Sequence, residues 1–193
     1  MRLINIPAEV KQPEDSARLR LMTFLAQSLS VLAVAYVTQL WWLWPVGSLI
    51  LAAGNSWAHR TRHHPRKWAR YGLFIGLHVL FCGLIGGIAG GVAYPQAQFA
   101  VFAMGLVSFE QFSRLNLYSG MGIGLTNMYV AATLSRDVTY GVLLLLFFGI
   151  VLTFLWMVDA EDGVKRNKYT LSNGNDNQGV ARWRVPLWGA RFG

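Results

Sequence analysis

The chain has 193 residues, of which 54% are hydrophobic and only 13% charged, and its net charge is +8. Soluble domains carry about 25% charged residues, so this composition, with a mean hydropathy of +0.37, excludes an ordinary water-facing surface. High apolar content, the lack of a fixed glycine period and a single cysteine also exclude a disordered chain, a collagen-like repeat and a disulfide scaffold.

The pattern predicts an all-α, polytopic integral membrane bundle of six transmembrane helices, with five as the main alternative. A bilayer core about 30 Å thick needs roughly 20 mostly apolar residues per helix. Residues 1–19 contain Glu9, Glu14 and Asp15 and no signal-like cleavage site, so they read as an interfacial arm on the cytoplasmic side. The transmembrane domain then occupies residues 20–158. Its first span is expected at about Arg20 to Thr38 and ends near Trp41, Trp42 and Trp44, the aromatic residues of an interface belt. Pro45 suits the first turn of the second span, which reaches about Trp57. The third span is expected at Trp68 to Gly90, the fourth at Ala97 to Phe112 and the fifth, polar-tinged, at Tyr118 to Leu134. The sixth runs from Val138 to Val158. Residues 159–193 read as a basic, polar cytoplasmic tail that looks like the lead-in to a further span.

Charge fixes the expected orientation. With the N-terminus inside, 16 of the 17 Lys and Arg residues are cytoplasmic, and Arg136 alone lies outside. This is the positive-inside pattern, and it predicts a bacterial inner-membrane protein with both termini cytoplasmic. The net charge is therefore a matter of topology rather than nucleic-acid binding. Within it, Arg60, Arg62, Arg66, Lys67 and Arg70 form the expected contact with anionic lipid or a partner.

Site candidates are few. His59, His63 and His64 lie in the basic loop, where the density of positive charge argues against a metal. His78 is ionisable and within the third span, which makes it a functional candidate; it has no partner at similar depth for a bis-His haem and is expected to hydrogen-bond a neighbouring helix. Glu110 and Arg114 are four apart and are expected to form an interfacial ion pair on one helical face. Gln27 and Asn127 are expected to be interhelical hydrogen-bond donors. Cys82 is expected to be buried and inert. Gly72, Gly76, Gly83, Gly87 and Gly91 form a strip that predicts close helix packing, whereas the alternate glycines Gly120, Gly122 and Gly124 suggest flexibility. No phosphate loop, CxxC or HExxH is present, so no catalytic residue, metal or cofactor is predicted and the chain is expected not to be an enzyme.

The segment SFEQFSRLNLYSGMGIGLTNMYVAATLSRD, followed by a Leu/Phe-rich helix within residues 102–157, resembles the N-terminal membrane region of bacterial transglutaminase-like membrane proteins. Glu110 and Arg114 match that family's acidic–basic turn, and Thr126-Asn127 fall in its polar-tinged helix. The resemblance implies an anchor whose catalytic Cys, His and Asp lie in an extracytoplasmic domain beyond Gly193; Cys82 does not correspond to the catalytic cysteine. Three functions are thus expected. The first is a non-catalytic module of a larger membrane assembly, such as an accessory subunit of an electron-transfer complex. The others are the anchor just described, and a small transporter or a quinone- or lipid-binding protein.

Overall fold

The computed structural model describes the backbone of residues 16–61 and 67–173, and the side chains of residues 16–61 and 71–163. The interfacial arm up to residue 15, Arg62, Arg66 and the tail beyond residue 173 lie outside the described residues, as do the side chains of Lys67 and Arg70. Six α-helices are present among the described residues, with no strand. They are α1 (Ala17–Thr38), α2 (Leu43–Thr61), α3 (Lys67–Ala89), α4 (Pro95–Val107), α5 (Arg114–Leu134) and α6 (Thr139–Asn173).

Local chemistry sets the boundaries. Ser16 caps α1 by accepting from the Leu19 N–H at 3.5 Å, and Gln39, in the left-handed region at φ 59°, ends it. Pro95 opens α4, where its missing N–H costs nothing. The largest departure from expectation is at the end of α4. The helix stops at Val107, a 3-10 turn covers Ser108–Glu110, and α5 begins at Arg114 under a Ser113 cap. The fourth span was expected to run unbroken to Phe112. Instead, Ser113 accepts from the Asn116 N–H at 3.4 Å and starts a new helix. At the other end of the chain, α6 continues past Val158 to Asn173, because the segment after Val158 contains no proline and only Gly163 before residue 173 to interrupt it.

Three helical stretches are long and apolar enough to cross a membrane: Ala17–Thr38, Tyr71–Ala89 and Thr139–Gly163. Helix α4, with 13 residues, is only about 20 Å long at 1.5 Å per residue. Helices α2 and α5 are long enough but carry polar groups such as Asn55, Arg60, Arg114 and Asn127.

The chain divides into two compact units, residues 1–156 and 157–193. Within the first, α1 is central and packs on α5, α2 and α4; α2 also packs on α4, and α3 on α4. Glycines mark the closest approaches. Gly47 and Gly54 of α2 face Val101 and Ser108, and Gly105 of α4 faces Ile50. Helix α6 docks on α5 at longer range through large side chains. Tyr140, Phe147 and Phe154, seven residues apart, are all buried. The Tyr140 hydroxyl donates to the Met128 carbonyl at 2.6 Å, and the Phe154 ring stands edge-on to Tyr118 at 5.5 Å.

A candidate polar site at the end of α1 and α2

One buried face of α1 is polar: Arg20, Thr23, Gln27, Ser30 and Thr38 are all at most 6% exposed. Three of these satisfy themselves locally. The hydroxyls of Thr23, Ser30 and Thr38 donate to the carbonyls of Leu19, Gln27 and Val34 at 2.7–3.0 Å, the usual solution for hydroxyls inside a helix. Arg20 reaches across to the turn between α4 and α5, donating to the Gln111 carbonyl at 2.8 Å and the Phe112 carbonyl at 3.1 Å. Irregular backbone buried among helices needs such donors, and Arg20 supplies two.

Beside this clamp, the Gln27 and Gln111 side chains are fully buried, and neither amide has a hydrogen-bond partner. Both Nε2 atoms lie against Gly120 of α5, so close that a Cβ there would collide with them. Further along, the Met104 sulfur accepts from the Asn127 Nδ2 at 3.3 Å and lies 3.8 Å from the Ser30 hydroxyl oxygen. Asn127 is therefore an interhelical donor as expected, and Gln27 is not.

At the end of the bundle that holds Arg20, an open groove of about 300 Å³ lies between α1 and α2. Ala17, Arg20, Leu21 and Phe24 form one wall; Ala52, Asn55, Ser56 and His59 form the other. The two walls have the same helical spacing, i, i+3, i+4, i+7, which puts each set on one face. Asn55 is 9% exposed. Its Nδ2 donates to the Leu51 carbonyl at 3.2 Å, while its Oδ1 is buried without a partner.

The remaining candidates are placed as follows. Glu110 ends the 3-10 turn and Arg114 starts α5, so they flank a break and do not share a helical face. His78 faces outward, and its Nδ1 meets the Phe74 carbonyl of its own helix at 2.8 Å, rather than a neighbouring helix. Cys82 is exposed, not buried, because the stretch Tyr71–Ala89 of α3 contributes no buried residue to the interior. The glycine strip of α3 is close-packed only in part. Gly76 meets Leu106 and Gly87 meets Pro95, while Gly72 and Gly83 have nothing within 4 Å. Gly91 lies beyond the helix, in a turn at φ +70°. Close packing falls instead on Gly120 and Gly124 of α5, against Gln27, Gln111 and Phe147; Gly122 between them is open. Arg60 is exposed at the end of α2. No group of three or more His, Cys, Asp or Glu suited to a metal occurs among the described residues.

Gln111 and Asn55 went unnoticed in sequence. For Gln111 a signal existed: Ser113 three residues before Asn116, inside the polar run Glu110-Gln111-Phe112-Ser113-Arg114, is a helix start and not a helix interior. No family model, curated protein or solved structure matches the chain.

Proposed function

We propose that this protein is a six-span membrane module that performs no chemistry of its own and packs into a larger membrane assembly, with an accessory role in an electron-transfer complex as one form of it. The observation that carries this reading is α3. It is the second most apolar of the three candidate spans, and none of that span is buried within the chain. Phe74, Ile75 and Val79 are 63–65% exposed, and Gly72 and Gly83 stand open beside them. A continuous apolar face of this size calls for lipid or protein, and its open glycines allow another helix to come close.

The same packing supports six crossings. The 13 residues of α4 and the three of the 3-10 turn together rise about 25 Å. The polar groups that lower the hydropathy of α2 and α5 are mostly buried or at helix ends. Arg20 and Arg114 flank the α4–α5 turn, and Arg60 ends the helix that shares a groove with Arg20. Arg136 sits in the α5–α6 connection. That distribution fits a cytoplasmic basic end in a bacterial inner membrane.

The test is extraction of native membranes in mild detergent, followed by native electrophoresis. Comigration with a much larger species supports the module reading; a monodisperse monomer overturns it. A second reading, the anchor of a transglutaminase-like protein, is supported by the order of short helix, broken turn at 108–113, polar-tinged α5 and long apolar α6. Detection of native polypeptide continuing past Gly193 into a Cys/His/Asp domain would favour it.

A further inference from the structure

His78 is the polar centre of an apolar face. Tyr71, Phe74, Ile75, Phe81 and Ile85 share its side of α3 by their helical spacing, and each is more than half exposed. The imidazole makes one fixed bond: Nδ1 lies 2.8 Å from the Phe74 carbonyl oxygen of its own helix. A carbonyl only accepts, so Nδ1 carries the proton, and in the neutral ring Nε2 keeps its lone pair. No described residue meets Nε2. The Phe74 ring packs on the imidazole, with centroids 4.4 Å apart. A ring whose Nδ1–H is tied to a backbone carbonyl is held in the tautomer and orientation that a metal ligand needs.

The other histidines, His59, His63 and His64, lie in the last turn of α2 or just beyond it, so the chain has no second one in the middle of a span. A second copy supplies it. Copies inserted in one orientation are related by an axis along the membrane normal, and the same residue of each then meets the other at equal depth. Two such Nε2 atoms are both acceptors and cannot bond each other directly. What joins them must accept an electron pair on both sides, match the apolar side chains around it and need no further protein ligand. A bare cation fails on the last count, since no group of three His, Cys, Asp or Glu suited to a metal occurs among the described residues. A haem meets all three conditions: its ring brings four nitrogens and offsets the charge of the iron, and its flat faces are apolar. We propose that two copies of this chain hold one haem between their α3 helices, with His78 Nε2 of each as an axial ligand and Phe74, Ile75 and Phe81 against the ring. His78 is seven residues, about 10 Å, from the Tyr71 end of the span, near enough for the haem carboxylates to reach the interface there. The site rests on the bilayer reading above and makes a second copy the partner of this part of the α3 face.

The full chain, purified in detergent, is titrated with haemin; absorption spectra report the ligation and native mass spectrometry the stoichiometry. Saturation is expected at one haem per two chains, with the spectrum of a six-coordinate, low-spin iron. His78→Gln, at an exposed position, should lose that spectrum and the haem-bearing dimer while the melting temperature of the haem-free chain holds. Metal-free protoporphyrin, which offers the same apolar surface without the iron, should bind at least about tenfold more weakly. Failure to take up haem, saturation at one five-coordinate haem per chain, an unchanged spectrum in His78→Gln, or equal binding of the metal-free ring each overturns the proposal. If His78→Gln fails to fold, the stoichiometry and the metal-free ring decide. Release of the chain from membranes by alkaline extraction would overturn the bilayer reading itself, whereas a retained chain that takes up no haem overturns only this site.

Discussion

Gly120 and Gly122 lie two residues apart on α5, and the same substitution at each should have opposite effects. Alanine in place of glycine inside a helix gains about 0.5–1 kcal/mol by restricting the unfolded chain, and both positions share that gain. They differ in what the new methyl group meets. At Gly122 there is nothing within 4 Å; at Gly120 the Cβ collides with Gln111 Nε2, lies 2.8 Å from Gln27 Nε2 and 3.0 Å from Gln111 Cδ. Side-chain ends can often swing aside, but Gln27 and Gln111 are 0% and 1% exposed, so they have no solvent to swing into. Overpacking of a filled interior costs about 1–3 kcal/mol. Because the helix-propensity gain cancels between the two variants, the gap between them should be that cost alone. Equilibrium unfolding in mixed detergent and SDS measures it, with Gly122→Ala at or above wild type and Gly120→Ala below. Equal stabilities would refute the claim that α1, α5 and the 108–113 turn meet at Gly120.

Arg20→Gln removes both donors from the Gln111 and Phe112 carbonyls, and each buried carbonyl left unpaired costs about 1–3 kcal/mol; SDS unfolding should register a loss of that order, and an unchanged midpoint would contradict the clamp. Phe154→Ala should cost at least the aromatic pair with Tyr118, about 1 kcal/mol, and limited proteolysis should then cut α6 more readily; an unchanged digestion pattern would refute the docking of α6. The Asp137 carboxyl is held below its ordinary value of 3.8 by the hydrogen bond from the Tyr36 hydroxyl first, then by the Thr139 N–H and hydroxyl. A depressed folded-state pKa gives stability that is present above the unfolded value and is lost as pH falls through the folded one. Asp137→Asn should therefore be less stable than wild type at neutral pH, with the difference closing below pH 3.8; thermal melts across that range check it, and a constant difference would refute it.

Much of the helix inventory was legible because long apolar runs leave one solution in a bilayer. Helices α1 and α3 begin and end within three residues of expectation. The break at 108–113 was missed because Phe109 and Phe112 continue the apolar pattern through it, while the cap that ends it is a single serine. The glycine reading failed for a related reason. A four-residue glycine repeat shows that a close approach is possible, not which neighbour comes near. Helix α3 carries the longer repeat but lies at the edge against α4, whereas Gly120 and Gly124 face the crowded centre. Gln27 was recognisable as an interior polar residue, but its convergence with Gln111 depends on a turn 84 positions away in sequence, and no local pattern encodes that meeting. Asn55 likewise acquires meaning only once α1 lies alongside.

Whether the helices cross a bilayer six times, with the basic end inside, is tested most directly by cysteine accessibility. In a Cys82→Ser background, single cysteines replace Gln39, His63, Ala93, Arg136 and Lys165 in turn. Intact cells are then treated with a membrane-impermeant maleimide. The account predicts labelling of positions 39, 93 and 136 in intact cells, and of 63 and 165 only after permeabilisation. Labelling that places positions 39 and 93 on opposite sides, or 63 and 93 on the same side, would contradict it.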